Sequence, residues 1–289
     1  MAVLGPRVWL DACAPPAAVP GLAVERLAID GADELAATRA RLERSRPHVS
    51  VIFDPASLSS ELIDAPLGIT LGVLVEGLPG ETGSAALQGL DRLVSFEPGL
   101  TGEAVGEQEL WRAIPPPVSD ALYAGVAPLR DPPRAISIGR STPHREAMLM
   151  PAKHHHDLLQ VLHGVSGEPL HELMADCDVG VFVPREARPG FGAQVGMHLA
   201  AGQLLLAGPL SPLHGLELHI DYLQVDSPDG LVWLLDRLAR FPGMYQSVRV
   251  RGRLKAEQFR ASRVFARLAH DVLADVAAFG RELRTSVRG

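Results

Sequence analysis

DVGVFVPREARPGFGAQVGMHLAAGQLLLAGPLSPLHGLE, Asp178 to Glu217, reads as strand, glycine-bearing loop, helix, strand, second loop and the start of another helix. Val179, Val181 and Val183 stand in a short apolar run that ends at Pro184. The loop carries Arg185, Arg188, Gly190 and Gly192. The helix closes at Gly202, and Leu204 to Ala207 make the next strand. Strand, glycine loop and helix start together form an anion site, because the first amide N–H groups of a helix lack intrahelical acceptors. A nucleotide diphosphate is the commonest cargo of such a site. The same three parts also occur in α/β domains that bind nothing there.

Around this stretch the chain alternates strands with helices, which implies mainly parallel sheets. The sequence predicts strands over Arg7–Cys13, Leu22–Ile29, His48–Phe53, Gly68–Val75 and Arg92–Phe96, with a helix through Arg44 between the second and third. In a parallel sheet ligands gather at the carboxyl ends of strands, which puts Asp11, Asp54, Glu76 and Glu97 on a functional rim. No dinucleotide-type glycine fingerprint follows the first strand. The proline-bearing stretch 118–134 reads as a linker. A second α/β domain starts at Ala135–Gly139, with a loop Arg140-Ser-Thr-Pro-His-Arg145 that opens a helix. Beyond a strand at Tyr222–Val225 the chain reads as helices, the last from about Arg260 to Leu283.

At 289 residues, 47% hydrophobic and 21% charged, the chain is long enough for two domains with sizeable cores. No run of about 18 uncharged apolar residues is present, so a membrane span is not expected. The N-terminus is too short and too acidic for a secretory signal. The only cysteines, Cys13 and Cys177, have no metal or disulfide pattern. A reduced, cytoplasmic protein is the expectation. Net charge is −7, but residues 1–134 carry 10 Arg against 18 Asp and Glu, while residues 135–289 carry 17 Lys and Arg against 16 Asp and Glu. The second half is the host for an anionic ligand, and the overall acidity argues against nucleic acid as a partner.

The order of motifs in the second half resembles glycosyltransferases of the two-Rossmann-domain GT-B class, nearest the "glycosyl transferases group 1" subgroup typified by spore-maturation-type proteins. The matching pieces are ISIGR at 136–140 with Arg145, ADCDVGVFVP at 175–184, GFG at 190–192, LAAGQLLLAGP at 199–209 and LHGLE at 213–217. YLQVDSPDGLVWLLDRL at 222–238 resembles the family's strand and loading helix, VRGRLKAEQFRASRVFARLAHDVLAD at 250–275 its closing helices, and IPPPVSDALY at 114–123 the interdomain stretch. The resemblance implies α/β architecture with two Rossmann-like domains facing across a cleft. Residues 1–117 would form the acceptor side and 135–289 the nucleotide-sugar side, with the last helix crossing back.

It further implies transfer without a metal and without a cofactor beyond the nucleotide-sugar substrate, because arginines and helix starts neutralise the leaving diphosphate. Gly139, Arg140 and Arg145 occupy the family's phosphate-binding positions. Amides near Gly190, Phe191 and Gly192 complete the donor site, with His163, His214, Gly215 and Glu217 at its edge. Glu76 is the expected general base for an inverting transfer, with Asp11 and Glu97 in reserve. The acceptor is an unidentified glycan, lipid-linked molecule or small molecule. The sequence departs from the family at Pro189 and Met197, where many relatives carry paired glutamates that hold the donor's ribose. A degenerate relative that binds a nucleotide, glycan or partner enzyme is therefore the alternative.

Two other clusters read as structural. In Lys153-His-His-His-Asp157, consecutive histidines point different ways and do not converge on one ion. Asp176-Cys177-Asp178 reads as helix end and strand start. The basic run from Arg249 to Arg267 reads as a solvated face, with peripheral docking to an anionic membrane as the alternative. Its interleaved Val248, Val250, Leu254, Phe259, Val264 and Phe265 are expected to pack inward.

Overall fold

The computed structural model describes residues 1–55, 67–75, 87, 89–96, 104–105, 108–162 and 165–280. The chain divides into two compact units, Met1–Pro116 with Ala261–Gly289, and Pro117–Arg260. Each is an α/β unit built on a parallel sheet, as expected from the alternation of strands and helices.

In the first unit the strands of the main sheet are β1 (Ala2–Gly5), β2 (Glu25–Ala28), β3 (Val49–Phe53), β4 (Ile69–Leu74), β5 (Arg92–Ser95) and β6 (Arg112–Ala113). They lie in the order β6-β5-β4-β3-β1-β2, every pair parallel. Helices α1 (Arg7–Cys13) and α2 (Ala32–Ser45) follow β1 and β2. One sheet face packs Val3, Val51, Phe53 and Val73, and the other packs Leu4, Leu27, Ile52 and Leu93. Arg7–Cys13 is thus a helix and not the first strand. Leu10 and Cys13, three apart, are buried while Val8 is 54% exposed, so burial follows helical rather than alternate spacing. Asp11 accordingly lies on α1 and not at a strand end.

The second unit holds β7 (Ala135–Ile138), α3 (Pro143–His155), β8 (Leu158–Val161), α4 (Gly167–Ala175), β9 (Val179–Phe182), α5 (Ala193–Ala200), β10 (Leu204–Ala207), β11 (Leu223–Gln224), α6 (Pro228–Arg240) and α7 (Gln246–Lys255). Its sheet order is β8-β7-β9-β10-β11, again all parallel. Helix α6 starts where Ser227 accepts the Gly230 amide with Pro228 at the first turn, and it buries Leu231, Leu234, Leu235 and Leu238 against the sheet. The stretch 118–134, read from sequence as a linker, is part of this unit. The Val118 amide donates to Phe259 O at 2.8 Å, the Ala124 amide to Ala200 O at 3.1 Å, and the Arg130 guanidinium pairs with Asp178. The last helix, α8 (Ala261–Phe279), belongs to the first unit, where Phe265, Leu268 and Val272 enter the core.

Helix α5 carries a buried histidine that makes the second unit acid-sensitive. Gly180 on β9 has no side chain; a Cβ there would lie 2.3 Å from His198 Cγ, so the imidazole sits flat on the strand. Gln203 donates its amide to Met174 O, which leaves its Oε1 to accept from His198 Nδ1 at 2.7 Å. Nδ1 therefore bears the proton and the buried Nε2 is bare. Burial pushes the ring's pKa down from 6.5 to about 4. The folded state keeps the ring neutral while the unfolded chain protonates it below about 6.5. Stability from this group is thus complete above that pH and is lost as pH falls toward about 4. Up to about 3 kcal/mol is at stake. Urea unfolding at pH 7 and pH 4.5 checks this: the second unit's transition should move to lower urea, and less so in His198→Asn.

Candidate functional site

In the second unit the strand order reverses between β7 and β9, so the loops that leave their carboxyl ends lie side by side. The first loop runs from Gly139 to Thr142. Gly139 has φ +134°, and a Cβ there would come within 2.4 Å of Arg145 Nη1. Only glycine lets the guanidinium lie against this backbone. Thr142 caps α3 by accepting the Arg145 amide at 3.2 Å, with Pro143 next to it in the first turn.

Arg145 then joins the two loops. Its Nε donates to Val183 O at 2.9 Å and its Nη1 to Arg140 O at 2.9 Å. The Thr142 hydroxyl adds a third tie by donating to Arg185 O at 2.8 Å. Burial, then the neighbouring Arg185 charge, lower the Arg145 pKa. Arg145 therefore shapes the site, with its Nε and Nη1 committed to carbonyls. The side chains of Arg140 and Arg185 are exposed and form no ion pair among the described residues. Arg185 was not singled out in the sequence as a ligand.

The second loop leads into α5. The Gly190 amide donates to Pro209 O at 3.2 Å, which fastens it to the loop after β10. Gly192 is the N-cap of α5; the Val195 amide turns back to Gly192 O at 3.1 Å, and among the described residues no side chain caps the helix, which leaves the Ala193 and Gln194 amides as donors. A Cβ on Gly192 would meet Gln194 Oε1 at 2.3 Å. Phe191 meets the His214 ring edge-on at 4.6 Å and lies 5.8 Å from Phe259.

His214 and Gly215 both take left-handed backbone, φ +46° and +76°. Among the described residues the buried His214 Nε2 has no partner, and burial lowers the ring's pKa. A Cβ on Gly215 would lie 3.6 Å from Lys255 Cε, which brings one more cation, missed in the sequence, to this turn. No helix opens at His214. The chain turns instead, with the Glu217 amide donating to Asp221 Oδ2 at 2.9 Å and Glu217 itself exposed. The two consecutive left-handed residues are the reason, since a right-handed helix cannot run through them.

Of the residues picked out by sequence, Gly139, Arg140, Arg145, Gly190, Phe191, Gly192, His214 and Gly215 thus share the carboxyl rim of one sheet. Pro189 is exposed and Met197 is 4% exposed in the core face of α5, so neither offers an oxygen there. Glu76, Glu97 and His163 lie outside the described residues. Lys153 bonds Glu146 and Gln160, and Asp178 binds Arg130 and the Arg134 amide, so both clusters are structural. Among the described residues no group of three or more His, Cys, Asp or Glu is placed to hold a metal, and no helix is long and apolar enough to cross a membrane.

No protein-family model and no curated protein matches the sequence. Solved structures do match the fold. Sucrose-phosphate synthase from Thermosynechococcus elongatus aligns over 95% of this chain and 100% of its own at TM-score 0.61 and 12% identity. Anabaena HepE in complex with UDP-glucose aligns over 95% and 100% at TM-score 0.59 and 9% identity. A glycosyltransferase from Rickettsia africae aligns over 86% and 85% at TM-score 0.54 and 10% identity. At such identities the likeness shows the fold, and that fold is the GT-B arrangement of two Rossmann-like units expected from the motifs.

Proposed function

We propose that the chain moves a sugar from a nucleotide-sugar donor to an acceptor hydroxyl, with the donor's diphosphate seated at the carboxyl ends of β7 and β9. The observation that carries this is the Arg145 clamp, which joins the two switch-point loops and leaves Arg140 and Arg185 as exposed cations near the uncapped start of α5. In the transfer the acceptor oxygen forms a bond to the sugar's anomeric carbon as the bond from that carbon to the diphosphate breaks. Negative charge grows on the departing diphosphate, and preorganised guanidinium and amide donors stabilise it where it develops. In this proposal those donors replace a metal, and the nucleotide sugar is a substrate with no further cofactor.

HepE, solved with UDP-glucose, supports a uridine diphosphate sugar as the first donor to try. Glu76 is the proposed base that takes the acceptor proton in an inverting transfer, and a glycan, a lipid-linked molecule or a small molecule the proposed acceptor. A cytoplasmic setting goes with this reading, as does membership of the group-1 subgroup.

One observation favours a second reading. With Pro189 exposed and Met197 buried, the carboxylates that resemblance would place on the ribose are missing. That suits a degenerate relative that binds a nucleotide, a glycan or a partner enzyme without turnover. A panel of nucleotide sugars separates the two, assayed for hydrolysis and for transfer with Arg140→Ala as control. Turnover of at least one donor that falls in the variant supports transfer. Nucleotide binding with no turnover of any donor supports the second reading.

A further inference from the structure

Between Arg237 and Ala256 the chain holds six basic residues and no Asp or Glu, in a protein of net charge −7. Two of the six are committed to backbone carbonyls, Arg249 to Gly202 and Ala127, and Arg253 to Ala124. The other four, Arg237, Arg240, Arg251 and Lys255, form no ion pair among the described residues.

The apolar residues of this segment do not all pack as the sequence predicts. Val248 is buried, but Val250 is exposed and Leu254 is 65% exposed. Spacing of three and four puts Val250, Arg251 and Leu254 on one outward stripe of α7. The end of α6, shortly before α7 in the chain, exposes further apolar groups. Phe241 and Trp233 are 56% and 54% exposed, the Arg237 guanidinium lies 5.0 Å from the Trp233 ring, and its Nε is 3.0 Å from Met244 Sδ. Single exposed apolar residues are ordinary, but an outward run of them interleaved with unopposed cations is not.

We propose that this strip, from Trp233 to Leu254, docks the second unit onto an anionic lipid bilayer. Charge decides the occupant. The strip offers five arginines against one exposed carboxylate, Asp236, the complement of an anionic headgroup layer, and its Trp, Phe, Met and Leu side chains enter the layer beneath. Aromatic side chains beside arginines suit that depth, where one side is apolar and the other wet. Helix α7 lies in the plane of the surface. The proposal does not depend on the donor reading, because vesicle binding requires no nucleotide.

Co-sedimentation of the full chain with vesicles tests it, using phosphatidylglycerol mixed into phosphatidylcholine against phosphatidylcholine alone. The chain is expected to partition onto the anionic vesicles and to be released by high salt. Replacing Arg237 and Arg240 with glutamine should weaken partition about fivefold per arginine. Leu254→Ser with Phe241→Ser should weaken it by about tenfold or more without moving the melting temperature, since both side chains are outside the core. Absence of binding to anionic vesicles overturns the proposal, as does binding that neither set of variants reduces. A concentration-dependent dimer that Leu254→Ser disperses, with no vesicle binding, also overturns it and makes the strip a contact between copies.

Discussion

Arg145→Ala is expected to leave the chain folded, to abolish binding of UDP and its sugars, and to cut kcat/KM for any donor it uses by about a hundredfold or more. The guanidinium touches Val183 O and Arg140 O from the first turn of α3, so it sets the distance between the loops after β7 and β9. Without it the Thr142 hydroxyl is the one side-chain tie left between them among the described residues, and Arg140, Arg185 and the start of α5 are no longer held toward one anion. Arg145→Lys should not rescue, because one ammonium does not reproduce the planar fork that spans two carbonyls. Gly139→Ala should fail in the same assay, since the added Cβ would take the space of Nη1. Unchanged UDP affinity in Arg145→Ala would mean that the clamp has nothing to do with a ligand.

The second large effect concerns α8. Arg92 on β5 is 1% exposed, and it donates from Nε to Asp275 at 2.6 Å and from Nη2 to Gly280 O at 2.9 Å. Asp275→Ala removes the carboxylate that accepts from Arg92 Nε and is expected to destabilise the first unit by about 3 kcal/mol. Asp271→Ala removes the partner of Arg112, a pair with side chains 31% and 27% exposed, and should cost about 1 kcal/mol or less. Replacing Arg92 and Asp275 together by methionine and leucine should recover most of the loss, because no uncompensated charge is then buried. Calorimetric melting of the three variants tests the ranking. Equal effects of Asp275→Ala and Asp271→Ala would contradict it.

Much of the architecture was legible in the sequence because parallel strands are buried on both faces and read as short apolar runs, as at Val49–Phe53 and Leu204–Ala207. Capping chemistry was legible too, at Ser227-Pro228. The errors have local causes. Arg7–Cys13 is short enough that its apolar residues satisfy both strand and helix spacing, and only burial of Leu10 with Cys13 decides. The stretch 118–134 forms no long helix or strand, so its attachment through backbone carbonyls to Arg249 and Arg253 leaves no periodic pattern. Left-handed backbone at His214 has no signal beyond the glycine that follows it.

For the candidate site, the sequence singled out loops that the fold brings to one sheet rim, but not the division of labour within them. Arg140 and Arg145 are five residues apart and look equivalent. The fold turns one toward solvent and the other onto carbonyls 38 and 5 residues away. Such long-range contacts depend on which strands are neighbours, which no local pattern records.

The central claim is that the switch point of the second unit binds a nucleoside diphosphate. Calorimetric titration of UDP into the purified chain and into Arg145→Ala tests it most directly. Saturable binding to the wild-type chain that Arg145→Ala eliminates is the predicted result. No binding of UDP to the wild-type chain, or equal binding to both, would contradict it.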